Sequence, residues 1–294
     1  MNVSGILMQG VRRLLGAGID SARLDAELLL GCALGLSREE LILAAAKNVS
    51  VAEAERYEDL LIRRVNREPL AYITGQQEFW SLNFLVSRDV LVPRPETEIL
   101  VELAVGHLAQ ANNCELPRIL ELGTGSGAIA VALATELPQA QIVATEISPA
   151  ALAIARRNAS RNGGCEAICF LEGDLFRALE QEIDNDFDLI LSNPPYIPRD
   201  EISALDAEVS RWEPRAALDG GSDGLEFYRR IAEEAPAYLH EGGAVALEIG
   251  AMMGSVVRSL FKNSAAYADI QVHQDYSGRD RVVIARTCLG RALV

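Results

Sequence analysis

Apolar positions recur every three or four residues through residues 1–75, which is the period of amphipathic helices. Two Ser-x-x-Glu sequences, beginning at Ser37 and Ser50, match the capping box that starts a helix. The helix after Ser50 is expected to stop at Pro69, because proline cannot continue a helix. We therefore predict that residues 1–75 form a small bundle of about four helices, a kind of domain that more often docks partners than performs chemistry.

The pattern changes after residue 75. Residues 78–93, EFWSLNFLVSRDVLVP, alternate apolar and polar positions and are rich in aromatic and β-branched residues. This predicts a β-hairpin that links two domains over residues 76–93. Helical spacing returns in residues 94–109, and a second domain is expected to span residues 94–294.

Strand and helix patterns alternate from residue 118 onward. The predicted strands are RILELG, QIVATEI, ICFLEGD, FDLILSN and GGAVALEIG. Such alternation predicts an α/β fold with a parallel, doubly wound sheet. Near the end, ADIQVHQDYS and DRVVIART have no helix between them, so we expect them to pair antiparallel at one edge. The sheet would then have seven strands.

Charge and hydropathy narrow the possible functions. The net charge is −15, and it is uneven: residues 1–75 hold 9 basic and 10 acidic residues, whereas the remainder holds 18 and 32. Such a chain lacks the broad basic face that binds a nucleic-acid backbone, so we expect no stable nucleic-acid partner. No apolar run approaches the ~18 residues of a membrane span, and the N-terminus lacks a signal peptide's apolar stretch. We expect a cytoplasmic protein with no membrane partner.

Cysteine and histidine do not form a metal-binding pattern. The five cysteines contain no CxxC pair, and the three histidines lie far apart along the chain. We expect buried free thiols and no metal site.

A glycine-rich loop follows the first strand of the predicted sheet. In ELGTGSGAIA, the residues Gly123, Gly125 and Gly127 permit a tight turn and a close approach of a ligand to the backbone. The next strand ends in Glu146, whose carboxylate can accept hydrogen bonds from both ribose hydroxyls of an adenosine. Together these features indicate a nucleoside ligand without identifying it.

Two cofactors fit this loop. Gly123, Gly125 and Ala128 satisfy the GxGxxG/A pattern of dinucleotide binding. Alternate glycines preceded by Glu121 instead suit S-adenosylmethionine, which has no pyrophosphate to seat. The loop alone leaves this choice open.

The sequence NPPY at 193–196 favours S-adenosylmethionine. It ends the fourth parallel strand, at the place in an α/β sheet where ligands bind. The Asn193 side-chain oxygen and the Pro194 main-chain carbonyl can accept both hydrogens of a planar NH₂ group and orient its lone pair. The two prolines hold this corner rigid and add no donors. The ring of Tyr196 can lie along the planar group and favour nearby positive charge.

Five segments together resemble the PrmC/HemK family, the peptide chain release factor glutamine methyltransferases. The resemblance spans nearly the whole chain and rests on these sequences, in this order: GQQEFWSLNF, VPRPETE, ELGTGSGAIA, NPPYIP and DYSGRDRVV. NPPY also occurs in methyltransferases that act on nucleobase amines, whereas PRPETE and EFWSLNF are more specific.

The resemblance implies a class I S-adenosylmethionine-dependent methyltransferase fold with a helical N-terminal domain that docks substrate. It implies methyl transfer from S-adenosylmethionine, which leaves S-adenosylhomocysteine, to N5 of the glutamine in the GGQ motif of class I release factors. A monomer is expected. The implied catalytic residues are Asn193, Pro194 and Tyr196.

The same resemblance assigns the binding residues. The glutamine would be held by Asn193, Pro194, Pro195, Tyr196 and Phe79, with Arg94 and Glu96 as supports. The implied cofactor contacts are Gly123, Thr124, Gly125, Ser126, Gly127, Glu146, Asp174, Leu175 and Asn193. Relatives often carry Asp at position 146, and some carry Trp at position 175, so Leu175 would cover an adenine less well.

Other function classes fit less of the sequence. A nucleic-acid amine methyltransferase would use the same NH₂ clamp on a flipped base, but the net charge disfavours it. A nicotinamide-dependent oxidoreductase would use the glycine loop and leave NPPY without a role. A binding module without enzymatic activity would leave both motifs without a role.

Overall fold

The computed structural model describes residues 1–110, 116–179 and 186–288, and the chain divides into two units. The helical unit comprises Met1–Gln76 together with Asp206–Trp212, and the sheet unit comprises Gln77–Leu205 and Glu213–Val294. Within the described residues, no helix combines the length and the apolar character needed to cross a membrane.

The helices begin and end where local sequence signals place them. Ser37 and Ser50 each form the predicted capping box, in which the serine side chain accepts from the backbone of a glutamate that bonds back to the serine N–H. Ser148 and Pro149 likewise begin a helix as N-cap and first residue. The helices are α1 (Val3–Gly16), α2 (Ala22–Leu34), α3 (Arg38–Leu43), α4 (Val51–Val65), α5 (Leu70–Thr74), α6 (Glu98–Gln110), α7 (Ala128–Glu136), α8 (Pro149–Asn162), α9 (Ala207–Ser210), α10 (Glu226–Glu234) and α11 (Gly254–Asn263).

The helical unit packs α1, α2 and α4 around an aliphatic core that includes the fully buried Leu14, Leu29 and Leu30. Fully burying one such side chain contributes about 2 kcal/mol, so this core is the main source of the unit's stability. Helix α4 ends at Val65, ahead of Pro69, as the proline predicts.

A short segment from the second half of the sequence, Asp206–Trp212, belongs to the helical unit. It carries α9, and its Glu208 accepts a hydrogen bond from Arg64 at 3.0 Å and forms an ion pair with Arg67 at 2.8 Å. Arg64 is buried and also donates to the buried Asp25 at 2.7 Å. No periodic pattern marks this segment in the sequence, because a single helical turn is too short to show one.

Seven strands form the sheet, and a separate two-stranded hairpin precedes them. The strand bounds are β1 (Gln76–Phe79) and β2 (Leu82–Leu85) for the hairpin, then β3 (Arg118–Leu122), β4 (Gln141–Glu146), β5 (Ile168–Glu172), β6 (Phe187–Ser192), β7 (Leu239–Glu248), β8 (Tyr267–Gln274) and β9 (Asp280–Thr287). The order is β5-β4-β3-β6-β7-β9-β8.

The strand pairing confirms the predicted fold class. Strands β3 to β7 pair in parallel, and β9 pairs antiparallel with both β7 and β8. From β3 the chain proceeds outward to β4 and β5 on one side, and from β6 to β7 on the other. The strand order therefore reverses between β3 and β6, which is where open α/β sheets bind ligands.

Each face of the sheet buries its own hydrophobic core. Ile119 and Leu189 lie on one face with α6, α7 and the hairpin, whereas Leu120 and Ile190 lie on the other with α10 and α11. This alternation follows from the two-residue repeat of a strand that is covered on both sides. Helix α11 had no counterpart among the predicted elements, and β7 begins at Leu239, ahead of the predicted GGAVALEIG.

The expectation of buried thiols is wrong for the described cysteines. Cys32, Cys165 and Cys169 are exposed, and Cys288 is half-buried. Cys169 lies on β5, an edge strand of the sheet, and strand residues at an edge lack the cover of a neighbour. Cys114 lies outside the described residues. No group of three or more His, Cys, Asp or Glu within residues 1–110, 116–179 and 186–288 is arranged to hold a metal ion.

Candidate active site

The glycine loop joins β3 to α7 at the carboxyl edge of the sheet. Gly123, Gly125 and Gly127 all have positive φ, at 71°, 56° and 80°. A Cβ added at Gly123 or Gly125 would meet no atom within 4 Å, whereas one at Gly127 would lie 3.1 Å from Ala155 of α8. The first two glycines therefore leave open space above the loop, and the third allows α7 to pack closely on α8.

Hydrogen bonds hold this loop in place from below. The backbone N–H groups of Gly123 and Thr124 both donate to the Thr145 carbonyl at 2.9 Å. The Thr124 hydroxyl donates to Glu121 at 2.7 Å. Glu121 is 1% exposed, and burial raises the pKa of its carboxyl to about 7. These bonds stabilise the backbone conformation of the loop.

Glu146 lies beside the loop, as the spacing predicted. One carboxylate oxygen accepts from the Gly125 N–H at 2.9 Å, and the other accepts from the Ser148 N–H at 2.9 Å. The open space above Gly125 and an adjacent carboxylate are what an adenosine-containing ligand requires, so the residues fit S-adenosylmethionine.

The turn after β5 lies next to Glu146, because the Gly173 N–H donates to the Glu146 carbonyl at 2.9 Å. The Asp174 carboxylate accepts from Arg230 at 2.7 Å. Leu175 is a non-glycine residue with φ of 51°, a strained conformation that is common at ligand sites. Its side chain is 7% exposed and packs in the core on the α10 face.

The NPPY corner begins where β6 ends. The Ser192 hydroxyl donates to the Leu122 carbonyl at 2.6 Å and joins the tips of β6 and β3. The next side chain is Asn193, whose Nδ2 donates to the Thr97 hydroxyl oxygen at 3.2 Å. Since this bond holds the NH₂ end of the amide, the Asn193 Oδ1 is the end that can face a substrate.

Tyr196 is half-buried behind this corner. Burial raises the pKa of its hydroxyl, and the nearby Glu248 raises it further. A Cβ at Gly250 would lie 3.4 Å from the ring, so the chain after β7 packs against Tyr196. Pro194 is buried and Pro195 is half-buried, which fixes the main chain on either side of the carbonyls.

Two curated proteins similar to this chain carry the same name. The release factor glutamine methyltransferase of Geobacter sulfurreducens is 46% identical over 92% of this chain and 91% of its own length. That of Moorella thermoacetica is 43% identical over 97% of this chain and 98% of its own length. The chain belongs to the release factor glutamine methyltransferase family.

Two domain families agree with this membership, and a solved structure shares the fold. Residues 6–75 match the PrmC N-terminal domain, and residues 97–207 match the methyltransferase small domain. A crystal structure of a methyltransferase from Pyrococcus furiosus shares the fold, with 20% identity, a TM-score of 0.52, and coverage of 79% of this chain and 100% of its own. The predicted family and enzyme class are confirmed.

Phe79, which the resemblance assigns to the glutamine pocket, is buried in the hydrophobic core. Its side chain is 1% exposed and packs edge-on against Phe84, with 6.0 Å between ring centroids. In this conformation the ring stabilises the core beneath the hairpin and offers no surface to a ligand. Arg94 forms an ion pair with the buried Glu213 of the same unit, which ties PRPETE to the loop that follows NPPY.

Three buried polar residues support the site and were missed in the sequence. Asn158 is fully buried, bonds both backbone groups of Leu85 in the hairpin, and donates to the Ser126 carbonyl of the glycine loop at 2.8 Å. Thr97 and Glu248 lie behind Asn193 and are also buried. A sequence signal existed for Glu248, because a lone acidic residue in the apolar run GGAVALEIG is unusual.

Proposed function

We propose that this enzyme transfers a methyl group from S-adenosylmethionine to N5 of the glutamine in the GGQ motif of class I release factors. The observation that carries the proposal is the Asn193 amide at the tip of β6, whose Nδ2 is already bonded to Thr97. Its Oδ1 is therefore available to accept from a substrate NH₂ group, next to the open space above the glycine loop.

A carboxamide nitrogen is a weak nucleophile, because its lone pair is conjugated with the carbonyl. The Asn193 Oδ1 accepts one N–H of the glutamine, and the Pro194 main-chain carbonyl accepts the other. These two acceptors orient the lone pair and stabilise the positive charge that develops as the nitrogen is methylated. The nitrogen gains the methyl group and loses one proton to water.

Tyr196 and the prolines complete the pocket. The Tyr196 ring lies along the planar amide and places its negative face near the developing positive charge. Pro195 lacks an N–H that would compete for either acceptor. Phe79 was also assigned to the glutamine, but its side chain is buried and is left out of this arrangement.

The glycine loop and its neighbours hold the cofactor in this proposal. S-adenosylmethionine supplies a methyl group on a positively charged sulfur, so it is already a good electrophile. Gly123 to Gly127 receive its amino-acid end, and Glu146 accepts from the ribose hydroxyls. Asp174 and Leu175 would contact its adenine, and Asn193 would contact the end that carries the methyl group.

We further propose that the helical unit docks the body of the release factor, and that the enzyme acts as a cytoplasmic monomer without a stable nucleic-acid partner. Two adjacent aliphatic side chains at the end of α3, Ile42 and Leu43, are 76% and 87% exposed. Apolar side chains in this position contribute area to a protein contact.

The docking role is tested with the double variant Ile42→Ser/Leu43→Ser. We expect kcat/KM on a whole release factor to fall by about 10-fold, since losing two apolar contacts costs about 1–2 kcal/mol. The value on a short GGQ peptide should stay within error. Val256→Ser, an exposed position on α11, is the matched control. Equal loss on both substrates would exclude a docking role for these residues.

The main test offers labelled S-adenosylmethionine together with four acceptors: a class I release factor, its GGQ→GGA variant, and adenine-containing DNA and RNA. We expect label on the release factor and none on the GGA variant. Label on nucleic acid, with none on the release factor, would mean that the NH₂ clamp serves a base and that the proposed substrate is wrong.

A further inference from the structure

Glu248 is a buried carboxyl group next to the NPPY corner. It is the last residue of β7, and its neighbour Leu247 pairs in register with Ser192 of β6, which immediately precedes Asn193. The side chain is 2% exposed. One of its carboxylate oxygens, Oε2, is fully buried and has no hydrogen-bond partner among the described residues. A buried carboxyl with an unused oxygen is costly, so a purely structural role explains it poorly.

The other contacts of Glu248 lead to Asn193. The Thr97 side chain lies close enough to the Glu248 carboxylate to lower its pKa, and a hydroxyl next to a carboxylate can donate to it. The oxygen of the same hydroxyl accepts from Asn193 Nδ2 at 3.2 Å. Thr97 is 4% exposed, so water does not compete for its hydroxyl. Glu248, Thr97 and Asn193 therefore lie in a row, with the Thr97 hydroxyl between the carboxylate and the amide.

The number of hydrogens on the Thr97 hydroxyl decides which end of the Asn193 amide faces it. A hydroxyl has one hydrogen, and when it is donated to a carboxylate the oxygen can only accept. Asn193 must then turn its NH₂ end toward Thr97 and its Oδ1 toward the substrate. Without an acceptor behind Thr97, the hydroxyl can rotate and donate to Oδ1, which would turn the NH₂ end of Asn193 toward the substrate NH₂ group.

We propose that Glu248 is a positioning residue for methyl transfer, acting through the Thr97 hydroxyl to keep the Asn193 Oδ1 directed at the substrate nitrogen. The inference rests on the proposed function, because it concerns the orientation of the amide that holds the glutamine. Glu248 itself touches neither substrate nor cofactor in this arrangement.

Several groups face Glu248 and set its ionisation. Burial is the largest influence and raises the pKa of its carboxyl to about 7, against which the Thr97 bond and Arg281 act. The other charged or titratable groups around it are Arg94, Glu96, Tyr196 and Tyr228. A protonated Glu248 can donate to Thr97 and free its hydroxyl to rotate, so the amide orientation becomes dependent on pH near neutrality.

The first experiment needs no substrate. The ¹⁵N-labelled protein is titrated between pH 5.5 and 8.5 (about the span in which a group of pKa 7 changes charge), and the side-chain NH₂ signals of Asn193 are followed by NMR. We expect them to shift with a midpoint near that of Glu248 in the wild type, and to stay constant in Glu248→Gln and Thr97→Val. Signals that titrate equally in all three proteins would overturn the proposal.

The second experiment measures turnover. In Glu248→Gln the new amide can donate to Thr97 as well as accept from it, so the direction of the chain is lost. We expect kcat to fall by about 10-fold to 100-fold, with the KM for S-adenosylmethionine nearly constant, because only the geometry of the reacting groups changes. The rise of kcat with pH through neutrality should disappear.

A double-mutant cycle separates positioning from general damage. Thr97→Val breaks the same chain, so Thr97→Val/Glu248→Gln should be no slower than either single variant. The control is Tyr228→Phe, which removes a 2.8 Å bond to the Glu248 main-chain carbonyl without touching its carboxyl, and should retain the wild-type pH profile. Fully additive losses, or a lost pH profile in Tyr228→Phe, would contradict the proposal.

The two proposals fail in different ways. If the wild type does not methylate the release factor, the proposed function is wrong, and the NMR titration still decides whether Glu248 orients Asn193. If the wild type is active but Glu248→Gln matches it in kcat and pH profile, the positioning role alone is wrong.

Discussion

Two carboxyl groups in the sheet unit, Glu121 and Glu248, share nearly the same local chemistry. Each lies at the carboxyl end of a parallel strand, and each is at most 2% exposed. Burial raises the pKa of both to about 7, and a nearby threonine side chain acts to lower it in each case. They differ in what lies beyond the threonine.

Glu121 accepts from the Thr124 hydroxyl, three residues along the chain, and the nearby Ala130 backbone N–H lowers the pKa of its carboxyl. These contacts are all with the glycine loop and with helix α7, so the carboxyl stabilises a backbone conformation. Glu248 lies next to Thr97, which is distant in sequence and whose hydroxyl oxygen accepts from the side chain of Asn193. The same pair of residue types fixes a loop in one place and orients a reactive amide in the other.

The largest effect on turnover is expected at Asn193, the residue next to Thr97. Asn193→Ala removes an acceptor for the substrate nitrogen, so kcat should fall by at least about 100-fold. Isothermal titration should find S-adenosylmethionine affinity within about 2-fold of wild type, because the loop is unaffected. An equal loss of cofactor affinity would show that Asn193 serves the cofactor and not the clamp.

A substitution in the loop should have the opposite signature. Gly125→Val forces a β-branched residue into φ of 56° and projects side-chain atoms into the open space above the loop. We expect the Kd for S-adenosylmethionine to rise by at least about 10-fold, since the backbone cost alone is about 1–2 kcal/mol. Gly106→Ala, in helix α6 with open space and ordinary φ, is the matched control and should bind normally. Unaltered binding in Gly125→Val would contradict the assignment.

Stability should respond to pH through both carboxyls in the same direction. Their folded-state pKa, about 7, exceeds the ordinary 4.5, so the stability they contribute is complete below pH 4.5 and is lost as pH rises through 7. Glu121→Gln and Glu248→Gln should each change the melting temperature, relative to wild type, more favourably at pH 8 than at pH 5. The difference between the two pH values should be roughly 3 °C or more. Scanning calorimetry at the two pH values measures this, and a larger benefit at pH 5 would reverse the sign.

The smallest change is expected from Thr124→Val, which mirrors Thr97→Val at the other carboxyl. Losing its 2.7 Å bond to Glu121 should lower the free energy of unfolding by about 1 kcal/mol and weaken cofactor binding a few fold. The pH dependence of kcat should persist, in contrast to Thr97→Val. Loss of that dependence would mean that both carboxyls act on the reacting amide.

Local patterns predicted the features that depend on neighbouring residues. The capping boxes at Ser37 and Ser50, the parallel strands and the placement of Glu146 beside the glycine loop all follow from spacing and residue type. NPPY ends β6 as expected, because prolines cannot pair within a sheet.

Features that depend on distant contacts were not predictable in the same way. The roles of Thr97 and Asn158 arise from partners on other elements, and no periodicity encodes such a pairing. The resemblance assigns Phe79 to the glutamine pocket, whereas packing against Phe84 buries it. Helix α11 is an exception that the sequence could have predicted, because GSVVRSLFKN places Val257, Leu260 and Phe261 at helical spacing.

The segment Asp206–Trp212 bears on how this protein can be recombined. Because these residues complete the helical unit, the unit is not one continuous stretch of sequence. A cassette cut after residue 75 and fused elsewhere would leave Arg64 without Glu208, and the donor would retain an acidic turn without its arginines. Exchange of helical units between relatives should therefore succeed only when residues 1–76 and 206–212 are transferred together.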